Sequence, residues 1–127
     1  MRSRWLVAAL GVAAAAACGG GMSSTPGGPR VTIQDFSFSP STLTVKAGTT
    51  VTWSNSGPSA HTTTSDTMTW NSPTLVTATG GDPYGGGGMA AGTFQFTFNT
   101  PGTYNYHCSN HPPASYPGFT GTITVTP

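Results

Sequence analysis

The sequence predicts an all-β domain, a sandwich or barrel of short strands, and three observations predict it. Apolar residues alternate with polar ones at period two in several short segments beyond Arg30. Thr, Ser, Gly and Pro dominate the composition; Thr favours strands, whereas the 18 Gly, 11 Pro and the Ser residues favour the turns between them. No stretch beyond Cys18 carries a helical repeat of apolar positions.

The elements follow in order. Val31 and Ile33 alternate with polar neighbours, and Phe36 and Phe38 resume one residue out of phase. That slip predicts a single strand over Arg30–Ser39 carrying a bulge. Leu43 and Val45 mark the next strand, Ala47-Gly48 a turn, and Val51 and Trp53 the strand after it. Gly57-Pro58 breaks the chain before His61. Residues 65–75 hold a loop and a short strand, and residues 80–92 (GGDPYGGGGMAAG) form a glycine-rich surface insertion. The insertion is not a phosphate-binding loop, because no Lys-Ser or Lys-Thr pair follows and no helix opens there. Phe94, Phe96 and Phe98 alternate with polar residues, and Pro101-Gly102 is a turn. Tyr104 and Tyr106 lead into Cys108, and Ile123 and Val125 alternate with threonines in the last strand, Gly121–Thr126. Trp53, Tyr104 and Tyr106 read as core aromatics.

The 127 residues hold one domain. Charged residues make up 6% and the net charge is +1, which leaves no electrostatic footprint for nucleic acid or an anionic membrane face. Arg2 and Arg4 precede an apolar run, Trp5–Ala17, that suits a secretory signal and is shorter than the roughly 20 residues of a membrane-spanning helix. The run ends at Ala15-Ala16-Ala17-Cys18 and three glycines. Two processings fit. One is cleavage at an Ala-x-Ala site, with Cys18 a bystander; the other is lipidation of Cys18, which the resemblance to bacterial lipoprotein leaders implies. Both put the domain outside the cytoplasm, in the periplasm or at the cell surface, and the second anchors it to a membrane. The chain thus divides into a signal peptide (1–18), a flexible Gly/Ser/Pro tether (19–29) and a domain (30–127). Cys108 is then a lone thiol in an oxidising compartment, and a bound metal accounts for it.

The histidines are His61, His107 and His111. Two of them flank the thiol in Tyr106-His107-Cys108-Ser109-Asn110-His111-Pro112. Cys-x-x-His at a strand end lets the thiol come off the strand and the imidazole return from a tight loop, so both meet one ion. His61, where the chain leaves another strand, supplies a third donor. One thiolate and two imidazoles are the blue-copper ligand set, since thiolate suits Cu(I) and imidazole suits both oxidation states. His107 neighbours Cys108 on a strand, so its side chain points to the opposite face.

The segment from Pro101-Gly102-Thr103-Tyr104 through Cys108 and His111-Pro112, ending in Gly121-Thr122-Ile123-Thr124-Val125, resembles the copper loop of plastocyanin-like cupredoxins. Phe36-Ser37-Phe38-Ser39-Pro40, Val45–Asn55 and His61-Thr62 are similar to the first half of that family. The resemblance covers nearly all of residues 31–126 and implies a Greek-key β-sandwich or barrel. It implies one copper ion held by His61, Cys108 and His111, cycling between Cu(I) and Cu(II). It further implies one-electron exchange with redox partner proteins, carried out by a monomer that is not an enzyme. One departure is plain: where the family places a weak axial Met, this chain has Phe119, after a lengthened segment Pro112–Gly118.

Rival readings use the same residues. A periplasmic copper chaperone, buffer or sensor would share the ligands. A Cys-His nucleophile would need an orienting carboxylate or amide, which the sequence does not place. A copper oxidase of related fold needs more than three histidines. A structural zinc site needs a fourth protein ligand.

Overall fold

A computed structural model describes residues 27–79 and 91–127. The signal peptide, Cys18, most of the tether and most of the glycine-rich insertion lie outside the described residues. The strands are β1 (Arg30–Gln34), β2 (Ser37–Ser39), β3 (Thr42–Lys46), β4 (Thr49–Asn55), β5 (Thr64–Ser65), β6 (Thr93–Phe98), β7 (Gly102–His107) and β8 (Thr120–Thr126). They form two four-stranded sheets, in the orders β2-β1-β4-β6 and β3-β8-β7-β5. Both sheets are mixed, with β1 parallel to β4 and β3 parallel to β8. The described residues include no helix. The expected all-β class, with strands in two sheets, is therefore that of the described residues.

Period-two alternation explains where the core sits. Val51, Trp53 and Asn55 point inward from β4, and Gly121, Ile123 and Val125 point inward from β8. Val31, Ile33, Phe38, Phe98 and Tyr106 close the layer between the sheets. Each such apolar side chain contributes about 1.5–3 kcal/mol by leaving water. The Ala47-Gly48 turn stands as expected; Gly48 has φ 90°, a conformation glycine takes at no steric cost.

The phase slip after Ile33 is a hairpin and not a bulge. β1 pairs antiparallel with β2 through Thr32–Ser39, Ile33–Phe38 and Gln34–Ser37, leaving Asp35 and Phe36 as the turn. Phe36 adopts φ 64°, which costs a non-glycine residue on the order of 1 kcal/mol or more. Its ring is held by stacking on Tyr116, with centroids 4.6 Å apart and planes 15° from parallel. Tertiary packing thus selects a backbone that local preference disfavours.

Tyr106 pairs with Gly121 across β7 and β8, and the glycine is a steric requirement. A Cβ there would lie 2.2 Å from Tyr106 Cζ. Gly121→Ala therefore forces the buried Tyr106 ring out of place and should cost about 1–3 kcal/mol, read as a lower urea midpoint. The Tyr106 hydroxyl is buried without a hydrogen-bond partner, and burial pushes it up to about 12. An unfolded tyrosine ionises near 10, so the folded state holds this proton more tightly. Its contribution to stability is complete below about pH 10 and is lost as pH rises toward 12. Denaturation midpoints of the native protein should fall over that window, and Tyr106→Phe should flatten the decline.

Candidate metal centre

The loop after β4 is shaped by Asn55. Its amide donates to the carbonyls of Ser59 (2.8 Å) and Leu75 (2.9 Å), and its side-chain oxygen accepts the N–H of Gly57 (3.0 Å). The last bond is an Asx turn, the conformation Asn favours after a strand. His61 and Leu75 then exchange both backbone hydrogen bonds, at 3.1 and 2.7 Å. The His61 ring is fully buried.

The second half comes from the other sheet. β7 ends at His107, and Cys108 turns inward with no exposure. The N–H of Thr62 donates to Cys108 Sγ at 3.3 Å. Thr62 Oγ1 accepts the N–H of Ser109 at 2.8 Å and shares a 2.9 Å hydrogen bond with its hydroxyl. The chain then brings back His111, whose ring packs edge-on against Phe36 (5.2 Å) and Tyr116 (5.0 Å). The lengthened segment closes on itself, with the N–H groups of Ser115 and Tyr116 both bonded to the carbonyl of Pro112.

The three expected donors meet. His61 Nδ1 and His111 Nδ1 lie 3.2 Å apart, and Cys108 Sγ lies 3.9 Å from the first and 3.7 Å from the second. Bonds of about 2.0 Å to nitrogen and 2.3 Å to sulfur around one first-row ion span separations of this size. The cluster can hold one copper ion, and the donor types suit it. Among the described residues no fourth His, Cys, Asp or Glu joins the cluster.

Phe119 is fully buried and meets the His61 ring edge-to-face, with centroids 4.9 Å apart. It lies 6.0 Å from the ring of His111. An apolar ring therefore packs against both imidazoles. Met68, the methionine within the described residues, is 66% exposed on the turn after β5. His107 points away from the cluster, as its strand position predicts, and its Nδ1 lies 2.6 Å from Asp66 Oδ1.

One participant was not visible in the sequence. Asp35 Oδ1 sits 2.9 Å from His61 Nε2, so a carboxylate orients this imidazole, a contact that the sequence does not place. The His61 hydrogen bond holds the Asp35 carboxyl below the usual carboxylate range; partial burial opposes this, and donation from the Ser59 N–H and hydroxyl adds to it. A residue 26 positions upstream, in no recognisable spacing with His61, offers no sequence signal of this contact.

Residues 29–126 match the family described as copper binding proteins, plastocyanin/azurin family. The chain is 36% identical over 88 residues to plastocyanin from Scenedesmus fuscus, covering 69% of this chain and 85% of that protein. Among solved structures, a purple cupredoxin from Nitrosopumilus maritimus aligns with a TM-score of 0.58 at 26% identity, over 77% of this chain and 99% of that one. The oxidised plastocyanin of Dryopteris crassirhizoma aligns with a TM-score of 0.52 at 25% identity, over 76% and 99%. Matched over residues 29–126 and bringing His61, Cys108 and His111 together, this chain belongs to the plastocyanin/azurin family of copper-binding proteins.

Proposed function

We propose that this chain is a single-copper blue-copper protein that carries one electron at a time outside the cytoplasm. His61 Nδ1, Cys108 Sγ and His111 Nδ1 are the ligands. The observation that carries the reading is their convergence, one thiol and two imidazoles within 4.8 Å of one another on a β scaffold. Copper, when bound, supplies a Cu(I)/Cu(II) couple. The chain does the rest. Both sheets hold the donors in one arrangement, so little reorganisation accompanies a change of charge. The Thr62 N–H draws density from the sulfur. Phe119 keeps water from the His61 side, and half-buried His111 gives the site its route to a partner.

Export rests on the leader, with residues 1–18 as signal, Cys18 as the lipid attachment, residues 19–29 as tether and residues 30–127 as the working domain. The partners are redox proteins, met by a monomer. The Cys108–His61–Asp35 chain has the members of a nucleophilic triad, yet Cys108 and His61 are both wholly buried, so a substrate carbonyl cannot reach the sulfur. Carrier chemistry is favoured over catalysis on that ground.

Adding Cu(II) to the metal-free protein should produce an intense visible thiolate-to-copper band, and Cys108→Ala should abolish it. A colourless complex of the unmutated protein would overturn the assignment. The axial lever gives a second expectation. Phe119 donates no density and excludes water, both of which favour Cu(I) and raise the potential. Phe119→Met should lower it by about 59 mV or more, the value of a tenfold shift for a one-electron couple, measured by voltammetry.

A further inference from the structure

The hydrogen bonding of His61 reaches beyond the ligand cluster. Its ring is fully buried and lies between two kinds of neighbour. Nδ1 faces Cys108 Sγ and His111 Nδ1, and Nε2 faces Asp35 Oδ1 at 2.9 Å. The Asp35 side chain is itself fixed, because Oδ1 accepts the Ser59 N–H at 3.2 Å and Oδ2 accepts the Ser59 hydroxyl at 3.1 Å. Space for it is cleared by Gly57, where a Cβ would stand 2.6 Å from Oδ1. The turn that delivers Asp35 is the strained Asp35-Phe36 hairpin, pinned by Phe36 on Tyr116. Several independent features thus converge on putting one carboxylate behind one imidazole.

We infer that Asp35 is a positioning residue for the metal site: it fixes His61 as the Nε2–H tautomer, leaving the Nδ1 lone pair toward the ion, and its negative charge favours Cu(II). The chemistry follows from the donor inventory. An ionised carboxylate only accepts, so the proton between the two groups belongs to Nε2. A neutral imidazole has one proton, so Nδ1 is bare. Carboxylate–histidine–metal chains raise ligand basicity, and losing the outer partner typically weakens metal binding about 10–100-fold. A nearby negative charge also stabilises the more highly charged ion, which lowers the reduction potential.

The tautomer and charge arms can be read separately, and the charge arm alone rests on the copper reading. In the metal-free full chain at neutral pH, long-range proton–nitrogen correlation of the histidine rings should show His61 protonated at Nε2. Asp35→Asn keeps an acceptor oxygen in place and can donate from its amide to the Ser59 hydroxyl, so that tautomer should persist. Asp35→Leu should release it, with a protonated Nδ1 population appearing and Cu(II) binding falling about 10–100-fold. In the copper-loaded chain, Asp35→Asn should raise the potential by about 59 mV, a tenfold shift toward Cu(I). A purely structural Asp35 would leave that potential unchanged, because every hydrogen bond is kept. An unchanged or lowered potential in Asp35→Asn, or an undisturbed tautomer in Asp35→Leu, overturns the inference. If the unmutated protein takes up no blue copper, the copper reading fails while the tautomer arm still decides the role of Asp35.

Discussion

Thr62 joins two halves of a site that no single sheet could build. His61 leaves β4 in one sheet, and Cys108 leaves β7 in the other. Directly after His61 the chain crosses over, since Thr64 and Ser65 pair with His107 and Tyr106 of β7. Thr62 sits at that crossing. Its N–H reaches the sulfur and its hydroxyl oxygen takes the N–H of Ser109, so the two loops move as one body. Without that junction the ligand atoms would ride on separate loops, and the separations near 3.2–3.9 Å would not be held.

The same economy governs the surrounding packing. Asn55 spends its amide on two carbonyls from different loops, which ties the strand end to Leu75 and so to the backbone of His61. Trp70 donates its indole N–H to Thr63 at 3.1 Å, and Ser72 exchanges bonds with the same residue. Every buried polar group in this stretch is thus turned into a brace. Leaving any of them unpaired would cost about 1–3 kcal/mol, and pairing them with one another also removes freedom from the ligand loop.

Most strands and the meeting of Cys108 with His111 were legible in the sequence for a common reason: each is encoded locally. Val51 and Trp53 announce β4 by alternation, and Cys108 and His111 announce a site by spacing. What was hidden depends on contacts between distant segments. Phe36 looked like a continuation of the strand in shifted phase, because nothing local says that an aromatic residue will accept φ 64°. Rings far along the chain, Tyr116 stacked on Phe36 and His111 and Phe119 edge-on to it, make that turn worthwhile. Asp35 was invisible for the same cause, since it acquires a role when the hairpin folds it under His61. Residues 65–75 read as a loop with a short strand. The structure resolves them into a brief β5 and two isolated bridges, His61 with Leu75 and Thr64 with Asn71, held by backbone hydrogen bonds with side-chain hydroxyls added to them.

A chain with three acidic residues has little electrostatic field to distribute, which makes the placement of each one consequential. Asp66 lies beside His107 on the outer face, and Asp35 lies behind His61. Among the described residues, Asp35 is therefore the acidic group in contact with the His61 ring. Phe119, in turn, packs an apolar ring against the same His61 imidazole. In a copper-loaded site these two side chains pull in opposite directions. The carboxylate sends density through His61 and rewards the higher charge; the phenyl ring withholds density and rewards the lower one. Both would bear on which oxidation state the site prefers, beside the ligands and the Thr62 N–H on the sulfur. A site that lost only Asp35 would be pushed further toward Cu(I) by the unopposed phenyl ring, and one that gained a thioether while keeping Asp35 would be pushed toward Cu(II) by both. In a copper-loaded cluster, a carboxylate behind His61 and an apolar ring beside it would bias the two oxidation states in opposite senses and so keep both accessible, which is the physical requirement for passing an electron on as well as taking it up.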